Sequence, residues 1–106
     1  MRAGRLRHVI DLQRKSVAAN AFGEEVVTWR TYAQVHAAVE AQTGAEALAM
    51  HEIHGTATVQ IVIRHRRDVR VADRAVLGDR VFEINGVADV DGRGVELQLA
   101  CTEDVV

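Results

Sequence analysis

The sequence predicts an all-β protein, a small β-barrel of about six antiparallel strands with one short helix in a strand connection. Short runs of alternating apolar and polar residues recur along the chain, and Gly, Asn and Asp residues separate them. The runs are rich in Val, Ile and Thr, which favour strands over helices. A chain of 106 residues has room for one domain, residues 1–106, and closing the sheet into a barrel would remove its exposed edges.

Four candidate extended segments lie between residues 8 and 66, and the third continues the second. They span residues 8–14, 25–29, 31–40 and 56–66. The first places Ile10 and Leu12 on one face. The last is the clearest, because Val59, Ile61 and Ile63 point one way while Thr58, Gln60, Val62 and Arg64 point the other.

The second half has the pattern of a meander of short strands. The candidate strands are residues 80–84, 87–90 and 95–101. Asn85-Gly86 separates the first two, and this dipeptide is typical of a type I′ hairpin turn, which needs a positive φ at both central residues. Further turns are predicted at Gly78-Asp79 and at residues 91–94.

Two stretches interrupt the alternation. Residues 44–52 are rich in helix formers and contain no β-branched residue, so we expect the one short helix there. Residues 16–24 are mostly small and include the polar Ser16 and Asn20 and the glycine Gly23, which predicts a protruding loop.

Composition narrows the classes of function. The formal net charge is -2, which argues against a dedicated nucleic-acid binder, whose domain would usually be basic. The single cysteine, Cys101, cannot form an internal disulfide and is expected to be a small buried hydrophobe. The N-terminal residues lack the apolar stretch of a signal peptide, and no run approaches the ~18 apolar residues of a membrane span. We therefore expect cytoplasm-like conditions and no membrane partner.

No catalytic, cofactor or metal constellation is evident. His51-Glu52-Ile53-His54 resembles a zincin motif, but its two histidines are three residues apart, whereas that motif needs four. Cys101 has no evident base to activate it. We expect a protein without metal, cofactor or enzymatic activity.

Two other features have more than one interpretation. The cluster Arg64-His65-Arg66-Arg67 would either be a solvated edge that discourages aggregation or contact phosphates or an acidic face of a neighbouring subunit. Because Asp68 and other aspartates follow closely, local ion pairs could consume the charge. Trp29 and Tyr32 would mark either an interaction surface or the aromatic filling of a small core.

A series of short phrases runs in order almost from end to end of the chain. They include Thr28-Trp29, Gly44-Ala45-Glu46 and the strand end at Ile63-Arg64. In full, the phrases lie at residues 3–14, 22–24, 28–33, 35–40, 44–46, 63–66, 82–91 and 97–103. In this order they resemble the head–tail joining, or head-closure, proteins of tailed bacteriophages. His36 and His65 replace the Trp and Tyr usual in that family, at positions that look related to packing.

The resemblance implies a structural β-barrel that assembles as a ring of six or twelve copies in the virion neck. The ring would lie below the portal or its adaptor, keep the packaged double-stranded DNA in the head, and form the docking surface for the tail and its terminator protein. Such rings are built in the host bacterial cytoplasm, and gene transfer agents use similar parts. Candidate contacts to neighbouring subunits or to the DNA channel are Arg64, Arg66, Arg67, Glu46, His51 and His54. Candidate contacts to the next ring are Asn20, Phe22, Gly23 and Glu24.

Two alternatives stay open at the level of sequence. One is a tail-terminator or tail-completion protein with a similar barrel. The other is a small nucleic-acid-binding barrel, which would place aromatic and basic residues on exposed strand faces. A gel-shift assay with single- and double-stranded DNA separates the latter from the others.

Overall fold

A computed structural model describes residues 6–41 and 56–104. Six antiparallel strands form a closed barrel in the order β1-β2-β3-β6-β5-β4, with β4 pairing back onto β1. The strands are β1 (His8–Ala19), β2 (Glu25–Ala41), β3 (Thr56–Arg64), β4 (Arg74–Leu77), β5 (Arg80–Asp89) and β6 (Glu96–Asp104). The predicted all-β barrel is confirmed.

The interior of the barrel is filled by the apolar face of each strand. Phe82 is the largest fully buried side chain, and the branched aliphatic residues around it supply the rest of the core. As predicted, Val59, Ile61 and Ile63 of β3 point inward. The other fully buried large side chains of the core are Ile10, Leu12, Ile84, Leu99 and Cys101. A core with so little aromatic volume depends on close packing of Val, Ile and Leu.

A second, smaller apolar cluster lies on the outside of the barrel. Ala38 and Val62 are opposite each other on β2 and β3, with side chains directed away from the core. Leu6, which precedes β1, belongs to the same cluster, and all three side chains are buried. Val62 therefore points away from the barrel interior, as its place in the alternation predicts, but its side chain is buried in this outer cluster.

The second strand contains a β-bulge. Residues 25–29 and 31–40 continue one another as predicted, because β2 runs without a break from Glu25 to Ala41. Leu12 of β1 is opposite Ala33, but Gln13 is opposite Thr31, so Tyr32 is an extra residue in β2. The bulge shifts the alternation by one residue, so Tyr32 faces the barrel interior and Trp29 faces outward.

The expected hairpin at Asn85-Gly86 is wrong. Strand β5 continues through both residues, and Ile84 and Gly86 are opposite Cys101 and Ala100 of β6, which makes Asn85 a second bulge residue. Neither residue has the positive φ that a type I′ turn requires. Pairing with β6 on both sides of the dipeptide overrides the local turn preference, and the Asn85 amide donates to the Thr102 hydroxyl at 3.1 Å.

The other two predicted turns are confirmed. Gly78, with φ +61°, is the first residue of a two-residue connection between Leu77 and Arg80, as expected for a type II′ hairpin. A short 3-10 turn, Val90–Gly92, leads into β6. The short helix predicted at residues 44–52 lies outside the described residues, and the described residues contain no α-helix.

Candidate functional site

A two-stranded ribbon projects from the barrel and is the main feature left uncovered. Beyond Gln13, β1 no longer pairs with β4, and β2 pairs with β3 only from Ala37 onward. Between these points, β1 and β2 continue to pair with each other as far as Ala19 and Glu25. Every residue from 15 to 28 is exposed. We call residues 14–30 the β-arm.

The β-arm corrects the predicted loop at residues 16–24. Ser16 to Ala19 belong to β1, and only residues 20–24 form the connection. The strand pairing brings Val17 opposite Val27 and Ala18 opposite Val26. Such cross-strand contacts each stabilise a ribbon by roughly 0.2–1 kcal/mol. Residues 16–24 alone do not indicate this stabilisation, because half of each contact lies in β2.

The tip of the β-arm is a hydrogen-bonded turn. The Asn20 side-chain carbonyl accepts the backbone N–H groups of Phe22 at 2.9 Å and Glu24 at 3.0 Å. Gly23 has φ +78°, a left-handed conformation that glycine adopts without strain. These contacts hold Phe22 outward with 87% of its surface exposed. The turn thus brings together all four residues predicted to contact the next ring.

The base of the β-arm is anchored by a buried carboxylate, Asp73. Arg14 donates to it twice, from Nε at 3.0 Å and from Nη2 at 2.9 Å. The Tyr32 hydroxyl donates at 2.7 Å and the Arg70 backbone N–H at 3.0 Å. Arg14 also lies over the Tyr32 ring, 4.5 Å from its centroid, and donates to the Asp68 carbonyl. The cluster ties β1, the bulge of β2 and the loop before β4 together.

The electrostatics of the anchor favour one protonation state. Burial on its own would raise the pKa of Asp73, but the hydrogen bonds from Arg14, Tyr32 and the Arg70 N–H outweigh burial and hold that pKa below its usual range. Burial, together with the hydrogen bond to Asp73, raises the pKa of the Tyr32 hydroxyl. Near neutral pH, the anchor therefore keeps an ionised carboxylate and a protonated phenol.

The loop that carries Asp73 also holds a strained residue. Ala72 adopts φ +77°, a left-handed conformation that is uncommon for residues other than glycine. Its N–H donates to the Ile84 carbonyl at 3.0 Å, and the Asp73 carbonyl accepts the Ile84 N–H at 3.0 Å. These two bonds to β5 fix the backbone beside the anchor.

The anchor is the part of the site that the sequence interpretation missed. Arg14 continues the face of β1 that carries Ile10 and Leu12, so the alternation places a charge next to the core. A charged side chain beside an apolar core favours a partner of opposite charge. This preference indicates a carboxylate, but which one depends on the tertiary contact with residue 73, which is 59 positions away in the chain.

A shallow groove lies on the outer side of the β-arm base. It has a volume of about 590 Å³ and is bounded by Trp29, Arg74 and the ends of β5 and β6. Arg74 stacks over Trp29 at 4.2 Å and donates to Gln13 at 2.7 Å. Arg80 binds Glu103 through two hydrogen bonds of 2.7 and 2.8 Å. Arg74, Arg80 and Glu103 thus each have a partner within the groove or at its edge.

The basic cluster at the end of β3 is partly neutralised. Arg66 binds Asp68 with two hydrogen bonds of 2.9 and 2.8 Å. Arg64 is exposed and lies opposite Glu96 of β6, and Arg67 is exposed in the loop that follows. Asp68 also accepts Arg14 through its carbonyl, so the cluster adjoins the β-arm anchor. Of the other predicted contacts, Glu46, His51 and His54 lie outside the described residues.

Two expectations about single residues have different outcomes. Cys101 is buried as predicted, and burial raises the pKa of its thiol to about 12. His36, by contrast, is exposed on β2, so the expectation that this position serves packing is wrong.

Among the described residues, neither a cluster of metal-ligating side chains nor a membrane-spanning helix is found. No group of three or more His, Cys, Asp or Glu side chains lies close enough to hold an ion within residues 6–41 and 56–104. No helix in these ranges is long and apolar enough to cross a bilayer.

Comparisons with known proteins identify similar structures and a family. Protein SF1141 of Shigella flexneri 2a, known from a solution structure, superposes with a TM-score of 0.71 at 28% identity, over 97% of this chain and 96% of that one. A chain of the virion of a native gene transfer agent particle superposes with a TM-score of 0.69 at 26% identity, over 96% of this chain and 98% of that one. No curated protein matches the sequence. The profile of the phage head completion proteins matches residues 1–104, and the chain therefore belongs to that family.

Proposed function

We propose that this head completion protein is a non-enzymatic structural subunit of the virion neck. In this proposal, copies form a ring between the portal or its adaptor and the tail. The ring closes the DNA-filled head and presents the surface on which the tail, with its terminator protein, docks. The structural observation that carries the proposal is the β-arm, a ribbon that is folded but uncovered.

The composition of the β-arm favours burial in an assembly. Four large apolar side chains, Val17, Phe22, Val26 and Val27, are between 44% and 87% exposed. Soluble monomers rarely keep such a concentration of apolar surface on one thin element, because it promotes association. Contact with other subunits would remove this surface from water.

The tip of the β-arm is suited to contact with the next ring. Phe22 is presented by a turn whose backbone is held by Asn20 and Gly23, so little conformational entropy remains to be lost on binding. An aromatic side chain held in this way is typical of an interface anchor. Glu24, beside it, could make a polar contact at the rim of that interface.

The experiment is a tip substitution in the virus or gene transfer agent that produces the protein. Phe22→Ala should leave the fold intact, because Phe22 contributes little to the core. It should yield DNA-filled heads that lack tails or lose their DNA, as seen by electron microscopy and by nuclease protection of the DNA.

A matched control is Val95→Ala, which removes an exposed apolar side chain, 45% accessible, that lies outside the β-arm. The control should produce normal tailed particles. Normal particles from both variants would contradict the assigned role of the tip. Tight binding of the purified chain to DNA at ordinary salt would contradict the structural function as a whole.

A further inference from the structure

We propose that the β-arms of neighbouring copies pair edge to edge, with the β1 edge of one arm against the β2 edge of the next. The arms of a ring would then form one continuous antiparallel sheet. This inference rests on the proposed ring and adds which surfaces of two copies meet.

The first argument concerns backbone hydrogen bonds. Among the described residues, β1 from Ser16 to Ala19 and β2 from Glu25 to Arg30 have only each other as strand partners. Each therefore leaves a row of N–H and C=O groups on its outer edge without a strand partner. The barrel itself is closed, so among the described residues a second copy offers a free strand edge mainly on its own β-arm.

The second argument is that the centres of these edges lack the usual protection. Exposed edge strands normally carry charges or prolines that prevent association. On the β1 side and at the tip, residues 16–23 contain no charged residue, and on the β2 side the only charges are at the two ends, Glu25 and Arg30; the chain contains no proline. Tyr32, the bulge residue, lies at the base of the β-arm and leaves its shaft regular. A regular edge with an uncharged centre is suited to pairing with another strand.

The third argument identifies the occupant as a second copy. The two edges of an arm are formed by β1 and β2, which run in opposite directions. When two identical arms lie side by side, β2 of one arm is therefore next to β1 of the other, in antiparallel orientation. Such a head-to-tail contact repeats around a ring and can close it. An isologous pairing, β1 to β1 or β2 to β2, would stop at a dimer.

The side chains match across such a contact. If the pairing continues the register within the β-arm, Val17 of one copy lies beside Val27 of the next on one face. On the other face, Ser16 lies beside Thr28 and Ala18 beside Val26. In these three pairs apolar side chains meet apolar ones and hydroxyl meets hydroxyl, as in stable cross-strand pairs, whereas Ala19 lies beside Glu25 at the end of the contact.

The contact is short, which limits where it forms. Beyond Arg14 and Lys15 at its base, the β1 edge offers only the residues from Ser16 to Ala19, far less surface than a stable dimer buries. The pairing therefore depends on the high local concentration that copies reach when a ring forms on its partner. Free chains in solution should not show it.

The test is site-directed cross-linking in assembled particles. Two populations of the chain, one carrying Val17→Cys and the other a tagged Val27→Cys, are produced together, and purified particles are treated with a short bifunctional thiol reagent. Because each copy carries only one new thiol, Val17 and Val27 of the same copy cannot be joined. The native Cys101 is buried and its thiol pKa is raised to about 12, so it contributes little background.

The expected result is a cross-linked pair that contains one untagged and one tagged copy. The matched control is Val17→Cys with Val26→Cys, since Val26 lies on the opposite face of the ribbon. This control should give at least tenfold less product. If the valine substitutions impair assembly, Ser16→Cys with Thr28→Cys tests the same contact on the other face.

The outcomes separate this inference from the proposed function. Tailed particles without the mixed cross-link in both residue pairs would overturn arm pairing while leaving the neck ring intact. Cross-links between two Val17→Cys copies alone would show a two-fold contact and would also overturn it. Loss of neck localisation, seen as particles that lack this chain, would instead contradict the proposed function.

Discussion

Replacement of Asp73 by Asn tests the anchor at the base of the β-arm. The substitution preserves the shape of the side chain but removes the negative charge of the carboxylate, which accepts hydrogen bonds from Arg14, Tyr32 and the Arg70 N–H. An amide has one acceptor oxygen, so whichever way it turns, its NH₂ group faces at least one donor. Part of the hydrogen-bond network is therefore broken and the rest is weakened.

The magnitude follows from the burial of the two partners. Breaking a fully buried ion pair costs about 3–5 kcal/mol. Asp73 is 4% exposed at its side chain, but the Arg14 side chain is 34% exposed, so water can solvate the guanidinium after the change. We therefore expect the free energy of unfolding to fall by about 2–3 kcal/mol. For a domain of this size, that lowers Tm by roughly 10–15 °C.

Urea denaturation at several pH values measures the effect. The control is Asp68→Asn, which breaks the pair with Arg66 at a side chain that is 46% exposed and should cost less than about 1 kcal/mol. Because the pKa of Asp73 is lowered in the folded state, its contribution is complete above the unfolded value near 4 and declines as the pH falls through the lower folded value. Equal losses for the two variants, or a difference that grows below pH 4, would refute the anchor.

Four further outcomes are expected. Tyr32→Phe, which removes the 2.7 Å hydrogen bond to Asp73, should reduce the free energy of unfolding by about 1.5 kcal/mol in the same assay. Ala72→Gly, which relieves φ +77°, should raise it by up to about 1 kcal/mol, and a decrease would show that the conformation is not strained. Phe82→Ala should cost about 3–5 kcal/mol by calorimetry, because the ring is fully buried. The isolated chain should be monomeric or weakly associated by light scattering, and a tight dimer at micromolar concentration would contradict this.

The strand pattern of the sequence predicted most of the barrel. The inward faces of β3 and β6 followed from alternation, and Leu97, Leu99 and Ile61 are buried as their spacing requires. The turn at Gly78 followed from the glycine that a two-residue connection needs. These features depend on a few consecutive residues, so local pattern was sufficient.

The two bulges show where local pattern was insufficient. Asn85-Gly86 has the composition of a hairpin turn, yet it pairs with β6 on both sides. Tyr32 interrupts the alternation of β2 and reverses the faces of Trp29 and Val27. A bulge is defined by the register between two strands, and no single segment contains that information.

The candidate site was predicted in part. Asn20, Phe22, Gly23 and Glu24 were expected to lie together because turn-forming residues cluster there, and the structure places them at the tip of the β-arm. That residues 16–19 belong to a strand paired with the predicted strand at residues 25–29 was not predicted, because the apolar partners of residues 17 and 18 lie ten and eight positions away. The sequence indicated a basic cluster that includes Arg64 and Arg66. The structure shows that Arg66 is paired with Asp68, which reduces the positive charge that the cluster can offer to another molecule.

By itself, the sequence determined that the chain is all-β and which residues face a core in the strands without a bulge, because alternation with a period of two is a property of each segment alone. Only the tertiary structure decided which strands pair to close the sheet, that β1 and β2 extend beyond their neighbours to form the β-arm, and that Arg14 contacts Asp73. The physical reason is that covering an edge or compensating a buried charge depends on groups distant in the chain. In this protein, the proposed function depends on the β-arm, the part of the sheet that β3 and β4 do not cover.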